Sequence, residues 1–464
     1  MLRILAAHLP RGPASAPDCI IAEHDGVQAV APALDAAKLT DVCTALLDAR
    51  AGLLRVPVGR VIRVIDAAAR RLLDPAEPER VQVLQSLHAI SGFSAAMAEH
   101  LLDRIVQDWL APALEHLLKE ELGGPDAVES FVLTGGGRQL RAVAPALGLH
   151  VFAGNVPGVG VTSIVRALLV RSAVIGKSAA GEPALAAAFG RLLSAVDPEI
   201  GRCVAVTYWR GGDTPLEDAV LARVGLVVHY GGGNAIAALR ARASAQVRFV
   251  EHGPRISFAL IDAASGDSVN DSAPQLARAV ALFDQQGCVS PQLVYVIGNR
   301  DQAHQLAAAT AAALAELQTV LPRGRITPGE AAAIRELRTR AEFGAIAGRG
   351  GDLWAPSELH YSVILSDVPS FEGTCLNRTL LVKHVPDVNT LIDLIAPFGD
   401  LLQTVGTAGF DAARLPAVAA ALGDAGVTRV TTLAAMPWPP PAWHHDGRGP
   451  LRELIRWVDL EMYS

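Results

Sequence analysis

Apolar positions in the first third of the chain recur at helical spacing. In VGRVIRVIDAAARRLL (58–73) and MAEHLLDRIVQDWLAPALEHLLKEEL (97–122) they fall at i, i+3 and i+4, one face of a helix. Residues 1–145 are therefore expected to form a mostly helical N-terminal region. From 149 the rhythm shortens. LHVFAG, SAVIGK, CVAVTYW and VGLVVHYGGG are short apolar runs closed by turn residues, and helical stretches separate them: Val159–Val170, Pro183–Val196, Leu216–Ala222 and Asn234–Arg242. Strands alternating with helices at this spacing mean βαβ units and a parallel sheet, so 146–250 reads as a nucleotide-binding α/β domain. A second alternation follows. VRFVEHGPRISFALID, QLVYVIG, LHYSVIL, RTLLVKHV and VTRVTTL read as strands with helical stretches between them, making 251–435 a second α/β domain. Residues 436–464 read as a Pro-rich tail ending in a helix. No repeat of fixed period is present.

Bulk properties narrow the class. A chain of 464 residues exceeds one hydrophobic core, and 51% apolar with 19% charged residues is a soluble globular composition. The net charge of −7 is spread without a basic block, which disfavours a nucleic-acid partner. No apolar run reaches the roughly 18–20 residues of a membrane span, and the N-terminal apolar stretch ends at His8, too short for a secretory core. The five cysteines, Cys19, Cys43, Cys203, Cys288 and Cys375, are odd in number and contain no CxxC, so neither a disulfide framework nor a zinc site fits. A cytoplasmic protein with reduced thiols, and no assigned metal, is the expectation.

Four places carry candidate chemistry. Cys288 lies in FDQQGCVSPQLVYV between Gly287 and a Ser-Pro, at a helix-to-strand junction. It reads either as a buried apolar thiol or as a nucleophile beside backbone N–H groups able to form an oxyanion hole; Gly287 permits unusual backbone there. Asn155, in GNVPG (154–158), is either part of a good turn or an amide donor at the ligand-binding end of a strand. Lys177 ends the second strand and is either solvated or a cation for a cofactor phosphate or hydroxyl. Ser178, Ala179, Ala180 and Gly181 follow it without a carboxylate, so a 2′-phosphate is permitted. YGGGN (230–234) is a tight turn or a pyrophosphate cradle at a helix N-terminus. His229, His252 and the pair His444–His445 have no partners at metal-ligand spacing and read as structural.

Taken in order, GNVPG, the strand-end lysine, YWRGGD, YGGG, GPRIS, FDQQGCVSPQ, LQTVG, GVTRV and WHHDG resemble the bioluminescence-type fatty acyl-CoA reductases, a branch of the aldehyde dehydrogenase superfamily. The resemblance covers the chain from about 149 onward. It implies an α/β, aldehyde dehydrogenase-like fold: a Rossmann-type cofactor domain, an α/β catalytic domain and the helical N-terminal region. It implies Cys288 as catalytic thiol, Asn155 as oxyanion donor, Lys177 as the lysine on the cofactor ribose, and Gly231 and Gly232 under the pyrophosphate. Glu251 falls near the superfamily's general base, although EHGPR departs from the usual Glu-Leu-Gly-Gly-Lys, and Glu372 falls near the glutamate that holds the nicotinamide ribose. The implied reaction is reduction of an acyl-CoA or acyl-enzyme thioester to an aldehyde with NADPH, through a cysteine-bound acyl group, by a homo-oligomer working with an acyl-transfer partner. Two alternatives stand beside it. One is a hydrolytic NAD(P)-dependent aldehyde dehydrogenase, which needs Glu251 as base; the other is a non-catalytic acyl- or nucleotide-binding partner.

Overall fold

The glycine- and proline-punctuated apolar runs become parallel strands, and the amphipathic runs become the helices that cover them. The computed structural model describes residues 1–11, 16–133, 137–263, 268–348 and 350–461. The chain divides into two units. One is Met1–Ser91, Ala98–Gly253 and Pro440–Ser464; the other is Gly92–Met97 and Pro254–Pro439.

The first unit opens with a sheet where helix was expected. β1 (Leu2–Leu5), β2 (Asp18–His24) and β3 (Val27–Pro32) stand in the order β1-β3-β2, with β2 antiparallel to β3 and β1 parallel to it. The signal was EHDGVQ: Asp25 and Gly26 both take positive φ (47° and 74°), the backbone a two-residue hairpin turn demands, and Asp-Gly supplies it. Helices follow from Ala36, including Ala36–Leu53, Val58–Arg71 and Ala111–Leu122, and the last ends on Gly123 at φ 80°.

β4 (Val132–Leu133) and β5 (Gln139–Val143) pair antiparallel, and the C-terminal segment Arg456–Leu460 completes their sheet on the other side of β5. This corrects the helix expected at the end of the tail. Among the described residues of the tail the one helical element is Arg452–Leu454, a short 3₁₀ segment, because β5 offers RWVDL a full ladder of backbone partners.

The five parallel strands of this unit are β6 (Leu147–Val151), β7 (Ala173–Lys177), β8 (Val204–Thr207), β9 (Leu226–Tyr230) and β10 (Arg248–His252), ordered β10-β9-β6-β7-β8. The chain winds outward from β6 to β8, then returns to β9 on the opposite side of β6. This is the doubly wound order, and its direction reverses between β6 and β9. β6 and β7 are buried except at their last residues, Val151 and Lys177, as strands covered on both faces must be.

The second unit holds seven strands: β11 (Ile256–Asp262), β12 (Pro291–Ile297), β13 (Gly350–Trp354), β14 (Ser362–Ser366), β15 (Thr379–Val385), β16 (Leu402–Ala408) and β17 (Arg429–Thr432). Their order is β13-β14-β15-β12-β11-β16-β17, parallel except for β13 at the edge. Alternate residues feed two cores. Ala259, Ile261, Val294 and Val296 join one, with side chains of the helix Arg300–Val320; Phe258, Leu260, Leu293 and Tyr295 join the other. Both faces of the central strands are therefore apolar, the pattern that made FALI and LVYV legible as strands. The tail strand Arg456–Leu460 is β18. Among the described residues no helix is long and apolar enough to cross a membrane.

Candidate active site

The first group of candidate residues lies along the carboxyl edge of the five-stranded sheet. Register puts Glu251, His229, Val151, Lys177 and Thr207 side by side in one row across β10, β9, β6, β7 and β8. Just beyond the row, the turns after β6 and β9 flank the point where the strand order reverses, the place where doubly wound sheets take ligands. The turn after β6 carries Asn155, exposed on the surface of the unit. Its shape is set by glycine. Gly158 caps the next helix at φ 88°, and a Cβ on it would meet Ile105 Cδ1 at 2.7 Å. Gly154 rests on the turn after β7, where a Cβ on Gly181 would sit 2.5 Å from the Gly154 carbonyl oxygen.

Lys177 is half-buried, its ammonium 5.6 Å from the centre of the Trp209 ring. Burial pushes the Lys177 pKa down, and the charge of Glu217 partly restores it. The first carboxylate after Lys177 is Glu182. It is 6% exposed and turned inward, accepting the N–H groups of Ala184 and Leu185 at the start of the helix Leu185–Val196. It faces the protein rather than a ligand.

The turn after β9 is equally specific. Gly231 has φ 155°, and a Cβ there would come within 2.9 Å of His229 Cε1. Gly232 is the N-cap of the helix Gly233–Arg242, and no side chain caps that end, so its first N–H groups suit an anion. Gly231 and Gly232 lie in the turn between β9 and that helix. Glu251 does not point alone into this edge; its carboxylate is ion-paired with Arg240 of that same helix.

WHHDG closes against the next row. His252, at the end of β10, stacks between Tyr230 (centroids 4.7 Å apart) and His445 (4.2 Å), and His445 stacks on Trp443 (4.6 Å). His252 Nδ1 and Asp446 Oδ2 are 3.2 Å apart. His252, His445 and Asp446 thus form a three-residue cluster of potential metal ligands that linear spacing had hidden, since His252 lies far upstream. The two imidazoles, however, are only 16° from parallel at 4.2 Å. The imidazoles are thus part of a ring column, and their ligand atoms and that of Asp446 all lie within 4.8 Å of one another.

The second group lies in the other unit, around Cys288. The chain reaches the thiol by an unusual path. Phe283, Asp284 and Gln285 all take left-handed backbone (φ 56°, 49° and 66°), and so do Leu376, Asn377 and Arg378 (φ 58°, 56° and 61°). Such runs are strained for residues with side chains and persist only where surroundings fix them. Each fixes the other. Asp284 holds Arg378 through the Nε (2.9 Å) and a terminal nitrogen (2.7 Å), both side chains buried, and also accepts Gly324 N–H. The Gln285 amide donates to the Pro291 and Thr379 carbonyls and accepts Thr379 N–H. Gln286 reaches Asn377 at 3.2 Å.

Cys288 sits in the turn that follows, partly exposed, and Pro291 starts β12, one residue ahead of the expected QLVYVIG. The unusual backbone falls ahead of Gly287; what Gly287 itself supplies is room, since a Cβ would lie 3.1 Å from Ser290 Oγ. Ser257 donates its hydroxyl to the Cys288 carbonyl at 2.6 Å and accepts Thr404 N–H at 3.2 Å. Thr404 is registered with Arg429 on β17. Arg429 is 9% exposed and donates to the carbonyls of Ala435 and Met436. Burial pushes its guanidinium down to about 10, while the charge of Cys288 pulls it back up.

Glu372 lies in the strap between β14 and β15, half-exposed, and Lys383 grips it. The Lys383 side chain is fully buried, with Nζ 2.8 Å from Glu372 Oε1 and bonded to the Ser370 carbonyl. Gln292, directly after the Ser-Pro, accepts Thr374 N–H at 2.9 Å and so fixes the strap beside β12.

Comparison with known proteins bears on this geometry. The family model described as acyl-CoA reductase (LuxC) matches residues 53–457. The chain belongs to that family. Curated relatives include long-chain acyl-protein thioester reductases of Photobacterium phosphoreum, 25% identical with 82% of this chain and 76% of the relative covered, and of Vibrio harveyi, 25% identical with 87% and 83% covered. Among solved structures, aldehyde dehydrogenase 21 from Physcomitrella patens superposes with a TM-score of 0.77 at 13% identity, covering 100% of this chain and 98% of that one. A methylmalonate-semialdehyde dehydrogenase from Sinorhizobium meliloti, described as putative and complexed with NAD, gives 0.75 at 14% identity, with 99% and 98% covered. The aldehyde dehydrogenase-like fold expected from the sequence is thereby established for this member of the acyl-CoA reductase family.

The residues fit a nicotinamide dinucleotide. The Gly231–Gly232 turn and an uncapped helix N-terminus lie beside the reversal point of the sheet, Lys177 ends the strand next to it, and Glu182 is turned inward onto its own helix. Sequence reasoning missed Ser257, Arg429, the Asp284–Arg378 pair and Lys383. GPRIS and GVTRV were noted as motifs, but the partner each one serves lies far away along the chain.

Proposed function

We propose that this chain reduces an acyl thioester to an aldehyde through an acyl group carried on Cys288, with NADPH as the electron donor. The observation that carries the reading is the placement of a partly exposed thiol in a braced turn of a family member, with Ser257 on its carbonyl and Arg429 within electrostatic reach. The nucleotide-binding role of 146–250 and the thiol-bearing role of 251–435 belong to this proposal.

In this reading the Cys288 thiolate adds to the thioester carbonyl, forming a C–S bond and pushing the carbonyl electron pair onto oxygen. The Asn155 amide and the Cys288 backbone N–H stabilise that oxyanion. Its collapse expels the donor's thiolate and leaves the acyl group on Cys288. Bound NADPH supplies a hydride equivalent to the acyl carbon. The resulting hemithioacetal oxyanion re-forms C=O, expels the Cys288 thiolate and releases aldehyde. Lys177, Gly231 and Gly232 bind the dinucleotide, and Glu372, held by Lys383, takes its ribose hydroxyls. No step needs activated water, and the engagement of Glu251 by Arg240 supports reduction over hydrolysis.

The relatives are named for acyl-protein substrates and the family for acyl-CoA, so the donor is a thioester of either kind, handed over by an acyl-transfer partner. The free cysteines support a cytoplasmic setting. Trp457 and Leu460 on β18 and Leu133 on β4, all exposed, support a homo-oligomer. The test is purified protein with NADPH and acyl-CoA donors of several chain lengths. Thiol release equal to NADPH oxidised, with aldehyde as product, is expected. No thiol release from any acyl-CoA or acyl-protein donor sinks the proposal.

A further inference from the structure

We infer that His445 of the C-terminal tail is a positioning residue for the dinucleotide: through a set of stacked rings it holds the Gly231–Gly232 turn in the shape that receives pyrophosphate. This rests on the reading of that turn as the cofactor cradle. The turn has little else to hold it. Residues 231–235 are exposed, and a Cβ on Gly232 or Gly233 would meet nothing within 4 Å. Its shape is demanding all the same, with Gly231 at φ 155°. The end of β10 ties it to the body of the unit. Gly231 donates its N–H to the His252 carbonyl at 3.0 Å, and Glu251 pairs with Arg240 of the helix that the turn opens.

Tyr230 and His252 are register partners, the last residues of β9 and β10, so their side chains leave the sheet on one face. Their rings stack, with centroids 4.7 Å apart and planes 17° from parallel. His445 stacks on His252 at 4.2 Å and 16°, and Trp443 stacks on His445 at 4.6 Å and 25°. The tail that supplies these last two rings is itself fixed. It doubles back at Asp446 and Gly447 (φ 54° and 76°), and His445 forms a β-bridge with Arg448. His252 Nδ1 lies 3.2 Å from Asp446 Oδ2, which sets the rotation of the imidazole. Farther on, Leu451 and Arg452 donate their N–H groups to the buried Glu121 carboxylate at 3.1 and 3.2 Å. Stacked rings gain more than the area they bury, and His445 belongs to two of the three pairs. An exposed turn already in its binding shape spares the ligand the cost of ordering it. Unstacking therefore weakens binding in proportion to the molecules that leave that shape.

The test is equilibrium binding by the full chain without thioester, measured by calorimetry with two probes: NADPH, which carries the pyrophosphate, and 2′-AMP, which lacks it. In His445→Ala the dissociation constant for NADPH is expected to rise about fivefold to tenfold, while that for 2′-AMP stays within about twofold. His445→Phe keeps a flat ring and is expected to stay within about twofold for both. A folded His445→Ala protein that binds NADPH as the unaltered protein does overturns the inference. So does an equal loss of both ligands, which a merely structural histidine would give. Should His445→Ala not fold, Trp443→Ala, which removes the outermost ring, decides with the same two probes: a selective loss of NADPH supports the inference, and no loss or a parallel loss overturns it. The unaltered protein tells the two readings apart. If it takes up no NADPH, the proposed cofactor role falls and the inference with it; if it binds NADPH and His445→Ala changes nothing, the inference alone falls.

Discussion

The carboxyl edge of the five-stranded sheet and the turn around Cys288 build candidate sites by opposite means. At the sheet edge, regular structure does the positioning. Five parallel strands end in register, so Lys177, His229 and Glu251 fall into one row, and glycines at 154, 181 and 231 let backbone approach where a side chain would collide. Around the thiol, irregular structure does it. Six residues in left-handed backbone form two turns that are locked by a buried ion pair and amide bonds between positions more than ninety residues apart. A site made from strand ends tolerates side-chain change but not extra volume in its turns. A site made from strained turns depends on the few polar groups that hold the strain.

Substitutions can break or sharpen this contrast. The largest effect is expected from Cys288→Ala, which should remove acyl labelling entirely while leaving dinucleotide affinity within about twofold, since no residue of the sheet edge is altered. Parallel measurement of labelling and fluorescence-detected NADPH binding checks it; a common loss of both would erase the distinction between the two regions. Next comes Arg378→Leu. It strands the Asp284 carboxylate, and breaking a buried pair costs about 3–5 kcal/mol, read as a fall in the chemical-denaturation midpoint together with loss of labelling. Lys177→Ala should weaken NADPH binding about tenfold to a hundredfold, yet Cys288 should still take up an acyl group from thioester in the absence of cofactor. Labelling that fails along with binding would mean the thiol depends on the sheet edge after all. The smallest effect belongs to Glu251→Gln, expected to change the reductive rate by less than about threefold, because in the proposed reaction its carboxylate neutralises Arg240 and moves no proton.

Legibility in the sequence follows the same division. LHVFAG, SAVIGK, VGLVVHY and five strands of the second unit announced themselves by apolar runs between turn residues, whereas β13 (GGDLW) and β16 (LQTVGTA), which mix glycine and polar residues into the run, were not read as strands. Cys288 was marked by its neighbours, but the reason for FDQ ahead of it was not, because nothing local says that Phe283 to Gln285 adopt left-handed backbone. That is decided by LNR at 376–378. The same limit hid the Tyr230–His252–His445–Trp443 column, whose members come from two strand ends and the tail. It also misled at the terminus, where the apolar spacing of LRELIRWV suggested helix while β5 stood waiting as a partner. Glu182 was passed over as the fifth residue after a strand, and only its hydrogen bonds to Ala184 and Leu185 N–H show that it is turned inward.

The contact between Gly154 and Gly181 gives one last result. With a carbonyl oxygen lying where the first carbon of any side chain would have to go, position 181 admits nothing larger than hydrogen unless the neighbouring loop is displaced. Residue 181 touches no reactant in the proposed chemistry, yet an alanine there would move the amide of Asn155. A laboratory search for altered activity that confined itself to the reacting groups would overlook a position that bears directly on the turn carrying one of them.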